Sequence, residues 1–533
     1  MQQLPVDFEK LSGTGKINAI LDLPDTSSFV QTLAPDSLYL LMRDIGVEDC
    51  LELLPLTTQE QRRAFIDLDA WRGAELDTVE LDSWLSTLSI AGGEQLVVDT
   101  VAELDPELLV DYLLQHAIIV LDRTEEDEIE AYEKHYIHLR TPDQDFVIVL
   151  PPTEGDEVSR VRRMVEALYR GGLKRARDLM FACKTGLRLE NEELAFRFRI
   201  GRLADLGFPS RDESWALFAP IDEKALRHAI NEEEISTTTI GDEDAHLGLI
   251  MTRSLDRSSF LATCIEGIED SERFVREYAA LVNRAVVAEP GEFVLRDLDR
   301  LTHIATTTRE TVSLGLEILS DGSVERGKSL IAKTWLIQLH QLGHRATVQR
   351  ALKAKELQGL GGTLFPDNIS RTLSNLRLVP RPRYTADDGT ANTFASIANL
   401  HSTDLVLNRA ESMARTFDQA FGINAAKFHS TEFPGLSEDD RSFVTYETLA
   451  HSLLANMLVH GDVAIAALSP EAVLTAAKNA DKLSAVAKDL SKDIEHSGDV
   501  LNAAARSLQD ALSSVSNLDD VNRMRTTLLI TAG

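Results

Sequence analysis

The sequence predicts a mainly α protein: an N-terminal right-handed helical superhelix, then a larger, mostly helical domain with one small β-hairpin. Three observations predict it. Between residues 20 and 120 apolar residues recur at spacings of three and four, as in the sets Leu38, Leu40, Leu41, Ile45 and Leu108, Leu109, Tyr112, Leu113, the period of a helix with one buried face. The segments carrying this period are about eight to twelve residues long, too short to be stable alone, so they must stack on one another. Paired β-rich runs occur in one place, residues 135–150.

Taken in order, the chain opens with "LSGTGKINAILDLPD", residues 11–25. Gly13-Thr14-Gly15-Lys16 has the form of the end of a phosphate-binding loop, G-x-x-x-x-G-K-[ST]. Lys10 stands where the first glycine belongs and Ile17 where the Mg²⁺-binding hydroxyl belongs, and no apolar strand leads in. The stretch reads instead as a polar turn before a helix from about Lys16. Helical segments follow over 16–122. Thr57 with Glu60 makes a predicted capping box. Asp105-Pro106-Glu107 supplies a cap residue, a proline at the first helical position and an acid at the positive helix end. The most apolar run, "LLVDYLLQHAIIVL" (108–121), carries Asp111 and His116 and is too short for a bilayer, so it reads as a buried helix.

Residues 123–155 form the next region: the acidic segment "TEEDEIEAYE" (124–133), then the hairpin "HYIHLRTPDQDFVIVL" with Thr141–Asp145 as its five-residue turn. A basic helical region spans 156–230, and an acidic linker spans 231–250. A helical domain over 251–460 contains an irregular loop, 359–402, with one strand near Leu376–Val379. Ala-rich helices over 461–533 complete the chain, the first of them long and started by Ser469-Pro470-Glu471.

The totals exclude some functions. The 533 residues carry a formal net charge of −32, which argues against nucleic acid or an anionic membrane as the partner of the whole surface. Neither a signal peptide nor membrane insertion is expected. Cys50, Cys183 and Cys264 are far apart and form no C-x-x-C pair, so free thiols in a reducing cytoplasm are expected. No cofactor motif is present: neither G-x-G-x-x-G nor G-x-S-x-G occurs.

Charge is unevenly distributed. Residues 1–150 hold 31 acids against nine bases, whereas 160–202 hold twelve bases against five acids. A second basic stretch, 344–383, includes Arg381 and Arg383. Two expectations follow. In the first, the basic helices dock on the acidic region and neutralise it. Alternatively Arg160, Arg162, Arg163, Lys174, Arg175, Arg381 and Arg383 bind an anionic ligand, an acidic partner or nucleic acid. Aromatic residues for base stacking are sparse in both stretches, which disfavours nucleic acid.

Other chemistry is thin. His340 and His344, one helical turn apart, have the spacing of a metal-binding pair, but Gln341 replaces the Glu of H-E-x-x-H and Gly343 suggests that the helix stops there. "TADDGTANTFASI" does not make a calcium loop, because Tyr384 and Ala395 occupy its first and last ligand positions. Glu125, Glu126, Asp127 and Glu128 offer hard oxygen ligands without a turn to shape a site. Trp71 and Trp84 are aromatic anchors for a partner or, alternatively, core residues.

Leu33-Ala34-Pro35-Asp36-Ser37-Leu38 returns, shifted by one position, as Leu104-Asp105-Pro106-Glu107-Leu108-Leu109. This Leu/Pro/acid pattern resembles the acidic N-terminal superhelix of MgtE-type magnesium transporters and the repeats of the flagellar motor switch protein FliG, over about a hundred residues. The longer stretch "LPDTSSFVQTLAPDSLYLLMRDIGVEDCLELL", with "FIDLDAW" after it, resembles an uncharacterised bacterial family known only as a domain of unknown function. That likeness extends over most of the chain and implies no activity. The function expected is a cytoplasmic scaffold or protein-interaction protein with a basic partner. The rivals are an enzyme with a dispersed site at His340, His344, Arg381 and Arg383, and a nucleic-acid-associated protein using 160–202 and 344–383.

Overall fold

The computed structural model describes residues 8, 11–122, 136–152, 156–231, 259–266, 271–290, 295, 297–495 and 497–531. The acidic segment 124–133, with Glu125 to Glu128, and the linker beyond residue 231 lie outside the described residues. The chain is mainly α and divides into two units. The first comprises Met1–Ala219, Ala225–Arg309 and Lys328–Gln338; the second comprises Pro220–Lys224, Glu310–Gly327 and Leu339–Gly533.

The first unit begins with α1 (Gly13–Leu21), α2 (Thr26–Thr32), α3 (Pro35–Ile45) and α4 (Gln59–Asp69). α1 starts earlier than expected, because the Ser12 hydroxyl accepts a bond from the Gly15 N–H at 3.2 Å and caps the helix. Both glycines of the loop-like motif are therefore helical, and Lys16 is buried against Asp44. The capping box of α4 uses Thr58 and Gln61, one residue beyond the expected pair. Thr57 instead donates its hydroxyl to the Leu54 carbonyl at 2.6 Å. A short ladder, β1 (Trp71–Arg72) and β2 (Glu75–Leu76), precedes α5 (Thr78–Glu103) and α6 (Pro106–His116). Tyr39, Phe65 and Trp84 tie α3, α4 and α5 together, with ring centroids 5.6 to 6.4 Å apart.

Residues 108–121 are not one helix. α6 stops at His116, and the β-branched run that follows forms β3 (Ile118–Leu121), as such residues prefer. The expected hairpin, β4 (Ile137–Arg140) and β5 (Phe146–Leu150), is present, and β3 joins it to give the antiparallel order β3-β5-β4. Ile148 pairs with Ile119 on one side and Leu139 on the other. The basic region then folds as α7 (Glu157–Gly171), α8 (Leu173–Thr185) and α9 (Arg188–Asp205). α7 lies on α5, α8 on α6 and β3, and α9 on α6 and α4. α10 (Arg211–Trp215), α11 (Glu223–Asn231), α12 (Phe260–Ile265) and α13 (Ser271–Ala288) follow, with α10 packed on α13.

The helices α14 (Leu298–Leu319), α15 (Val324–Lys333) and α16 (Leu336–Gly361) contribute residues to both units. Gly343 does not end a helix. A Cβ there would lie 2.2 Å from the Thr311 carbonyl oxygen, and one at Gly315 would lie 1.8 Å from that of Leu339. The two glycines let the backbones of α14 and α16 touch. The loop 359–402 contains α17 (Asp367–Leu376) and the two-residue strands β6 (Tyr384–Thr385) and β7 (Ala391–Asn392). Leu376–Val379 is not a strand: Leu376 closes α17, and Pro380, lacking an N–H, cannot continue a ladder. The remainder is α18 (Ile397–Phe421), α19 (Tyr446–His460), α20 (Pro470–Lys478), α21 (Leu483–Asp493), α22 (Gly498–Leu512) and α23 (Leu518–Arg523). The tail is thus several short helices around α19 rather than one long helix, with Leu453, Val473, Leu483 and Leu508 in a common core. The last described segment is held by the Leu529 N–H donating to Ser452 Oγ at 2.9 Å. Cys50, Cys183 and Cys264 are free and buried. No helix among the described residues is long and apolar enough to cross a membrane.

Candidate functional site

Several bases of the basic region meet acids and carbonyls of the chain itself. Arg160 meets Asp82 at 3.5 Å, Arg177 meets Asp145 at 2.7 Å and Arg188 meets Asp111 at 3.2 Å. Arg175 caps the end of α5 through the carbonyls of Ala102 and Leu104. Of the expected anion-binding residues in this region, Arg160 and Arg175 therefore face the chain's own acids and carbonyls. Arg162 and Lys174 are exposed and Arg163 is half-buried.

α9 has three distinct faces. On the first, Arg202 holds the Asp67 carboxylate through two bonds, 2.6 and 2.9 Å, and reaches Asp105 at 2.7 Å. Burial alone would lower the Arg202 pKa, but its bonds to Asp67 and then Asp105 overcome that and raise it. Burial pushes the Asp67 carboxyl up against the pull of Arg202. Asp105 is the N-cap of α6 yet makes no side-chain cap bond, since Arg202 claims it. Beside this pair opens a cleft of about 650 Å³ whose other walls are Pro35, at the start of α3, and Arg63 of α4. The Leu/Pro/acid pattern noted in the sequence thus supplies two helix starts, one lining the cleft and one bonded to its arginine.

The second face borders an apolar pocket of about 300 Å³, walled by Phe196, Ile200, Leu203, Phe208 and Val287. Arg199 lines it from a buried position. Its Nε donates to the Asp67 carbonyl at 2.7 Å, and its guanidinium lies 5.0 Å from the Trp71 ring centroid. Burial holds the Arg199 pKa down at about 10. Arg211 lies at the rim, exposed, without an ion pair among the described residues.

The third face points outward. Leu194 and Phe198, one turn apart on the helix, are 37% and 43% exposed, and Leu187, the N-cap residue before it, is 64% exposed. Gly201 continues this face, and a Cβ there would meet nothing within 4 Å. The exposed bases of α9 are already paired, Arg188 with Asp111 and Arg197 with Glu193 at 3.0 Å. Glu190 and Asp205 are exposed, make no ion pair among the described residues and leave this face acidic.

This face was missed in the sequence. Its signal was present in "LRLENEELAFRFRIG", which has apolar residues on two sides of one helix when a docked surface helix needs only one. The tryptophans chosen instead lie in the core. Trp71 is buried between Arg199 and Phe196, and Trp84 donates its Nε1–H to Asp69 at 2.9 Å. Neither presents a surface to a partner, because each indole fills a helix junction.

In the second unit His340 and His344 come together on α16, with ring centroids 6.3 Å apart, and both are buried. Burial and the nearby Arg381 guanidinium lower the His344 pKa to about 4. A buried cation beside two imidazoles opposes a metal ion rather than completing its shell, and no group of three or more His, Cys, Asp or Glu among the described residues is placed to hold one. Arg383 is half-buried, its N–H on the Asn375 carbonyl at 3.1 Å.

A family model described as a family of unknown function, DUF6178, matches residues 6–523. No curated protein and no solved structure matches the chain.

Proposed function

The chain belongs to the DUF6178 family, and we propose that it is a cytoplasmic interaction protein whose docking face is the outward side of α9. The observation that carries this is the exposed pair Leu194 and Phe198, with Leu187 at the helix cap, on a helix that packs inward through Ala195, Arg199 and Leu203. Large apolar side chains scattered singly need no explanation, but neighbouring ones on one helix face do. The partner is an amphipathic helix with an apolar row flanked by Lys or Arg. Its apolar side chains lie along Leu194 and Phe198, one of them over the notch at Gly201, and its bases meet Glu190 and Asp205. Helix against groove is a common mode of recognition. The overall charge of −32 speeds encounter with such a partner at low salt. Three buried free thiols accord with a reducing compartment.

A synthetic leucine–lysine amphipathic peptide of about 18 residues, long enough to be helical, provides the test by fluorescence anisotropy on the full chain. We expect binding that weakens with salt and is lost in Leu194→Asp and Phe198→Asp. Both positions are exposed, so these variants keep the fold. Equal binding by the wild type and both variants would refute the assignment of the face.

A further inference from the structure

The apolar pocket on the second face of α9 has a ligand chemistry of its own. At about 300 Å³ it lies at the small end of ligand sites and is too narrow for a peptide helix, which is about 10 Å across. Its walls are the side chains of Phe196, Ile200, Leu203, Phe208 and Val287. The charged residues that line it are two arginines, Arg199 and Arg211, and none of its described lining residues is acidic. The Ser210 hydroxyl is already committed, donating to Glu213 at 2.9 Å, and the same contact turns Glu213 toward the helix cap. An apolar chamber with cationic donors and no acid selects a molecule with an apolar body and one negative end.

We propose that this pocket binds a medium-chain monocarboxylic acid, the chain among the apolar walls and the carboxylate at Arg211. Arg211 suits the role because it stands at the solvent-facing rim, where a carboxylate keeps part of its hydration, and makes no other ion pair among the described residues. Arg199 is a positioning residue. Its bonds to the main chain at Asp67 and Gly73 fix the inner wall, and its buried charge adds a favourable potential. This site is independent of the outward row on α9.

Isothermal titration calorimetry of the full chain with hexanoate, octanoate and octanol tests it. Each methylene buried contributes about 0.8 kcal/mol, or about fourfold in affinity, so octanoate should bind about fifteenfold more tightly than hexanoate. Octanoate should also exceed octanol by about tenfold, the effect of one charge-assisted contact at a rim. In Arg211→Glu, octanoate should fall to the level of octanol while octanol is unchanged. In Ala74→Trp, which crowds the mouth from an exposed position, both should weaken. Absence of heat with octanoate at millimolar concentration overturns the proposal. So does equal binding of octanoate and octanol, or binding unaffected by both variants, which would place the ligand elsewhere.

Discussion

Replacing Arg202 with Met keeps the side-chain stem and removes the fork that holds Asp67. The Asp67 side chain is 2% exposed and its two bonds to Arg202 are 2.6 and 2.9 Å. Removing one partner of a buried pair costs about 3–5 kcal/mol, because the other is left as an uncompensated charge. Arg202 and Asp105 are both partly reached by solvent, so we expect the low end, about 3 kcal/mol. Asp67 relieves part of this by taking up a proton. Burial already raises its pKa, and losing Arg202 raises it further. A carboxyl whose folded pKa exceeds its unfolded value loses stability as pH rises through the folded pKa. The deficit of Arg202→Met should therefore be smaller at pH 5 than at pH 8. All four tryptophans, Trp71, Trp84, Trp215 and Trp335, belong to the first unit, so tryptophan fluorescence during urea unfolding reports that unit alone. The double variant Asp67→Leu/Arg202→Met should recover most of the loss, since it leaves no charge behind. A single variant within about 1 kcal/mol of wild type, well short of the cost of an orphaned buried charge, or a double variant no better than the single, would refute the assignment of this pair as the anchor of α9.

Gly343→Ala should destabilise the second unit by about 1–3 kcal/mol or more, the cost of overpacking, seen as an earlier thermal transition by far-UV circular dichroism. Gly201→Ala, with open space around it, should stabilise by about 0.5–1 kcal/mol. His344, with a pKa lowered to about 4, stays neutral in the fold while the unfolded chain takes up its proton below about pH 6.5. Stability should therefore fall as pH drops from about 6.5 to 4, by up to about 3 kcal/mol at 1.36 kcal/mol per unit. His344→Gln should flatten that slope, and an equally steep profile in the variant would contradict the assignment. The Cys50 and Cys183 thiols are pushed up to about 12, chiefly by burial, so native thiol labelling should be slow, with three thiols per chain titrating in denaturant without reductant.

The helical period was legible because it is local: α3, α4 and α6 are each defined by the apolar spacing of their own residues. The hairpin β4–β5 was legible for the same reason. What depended on distant residues was not. β3 reads as a continuation of α6 until β5 stands beside it to receive Ile118–Leu121. Gly343 reads as a helix stop, because only the approach of α14 explains a glycine inside α16. The uneven charge pointed to basic helices against an acidic region, but not to which arginine meets which acid. Arg202 reaches Asp67 and Asp105, respectively 135 and 97 positions away, and no local pattern joins them. The outward row on α9 was hidden for a different reason. Two apolar stripes on one helix resemble a fully buried helix, and only the packing of Ala195, Arg199 and Leu203 inward shows which stripe is left over.

The central claim is that the outward row of α9 is the docking face for a cationic amphipathic helix. The most direct measurement is the anisotropy of the leucine–lysine peptide with wild type, Phe198→Asp and a charge control, Glu190→Lys/Asp205→Lys, across a salt series. We predict binding by the wild type that weakens as salt rises, loss of binding in Phe198→Asp at every salt, and in the charge control a weaker affinity with a shallower salt dependence. Binding that survives Phe198→Asp, or a salt slope unchanged in the charge control, would contradict the account.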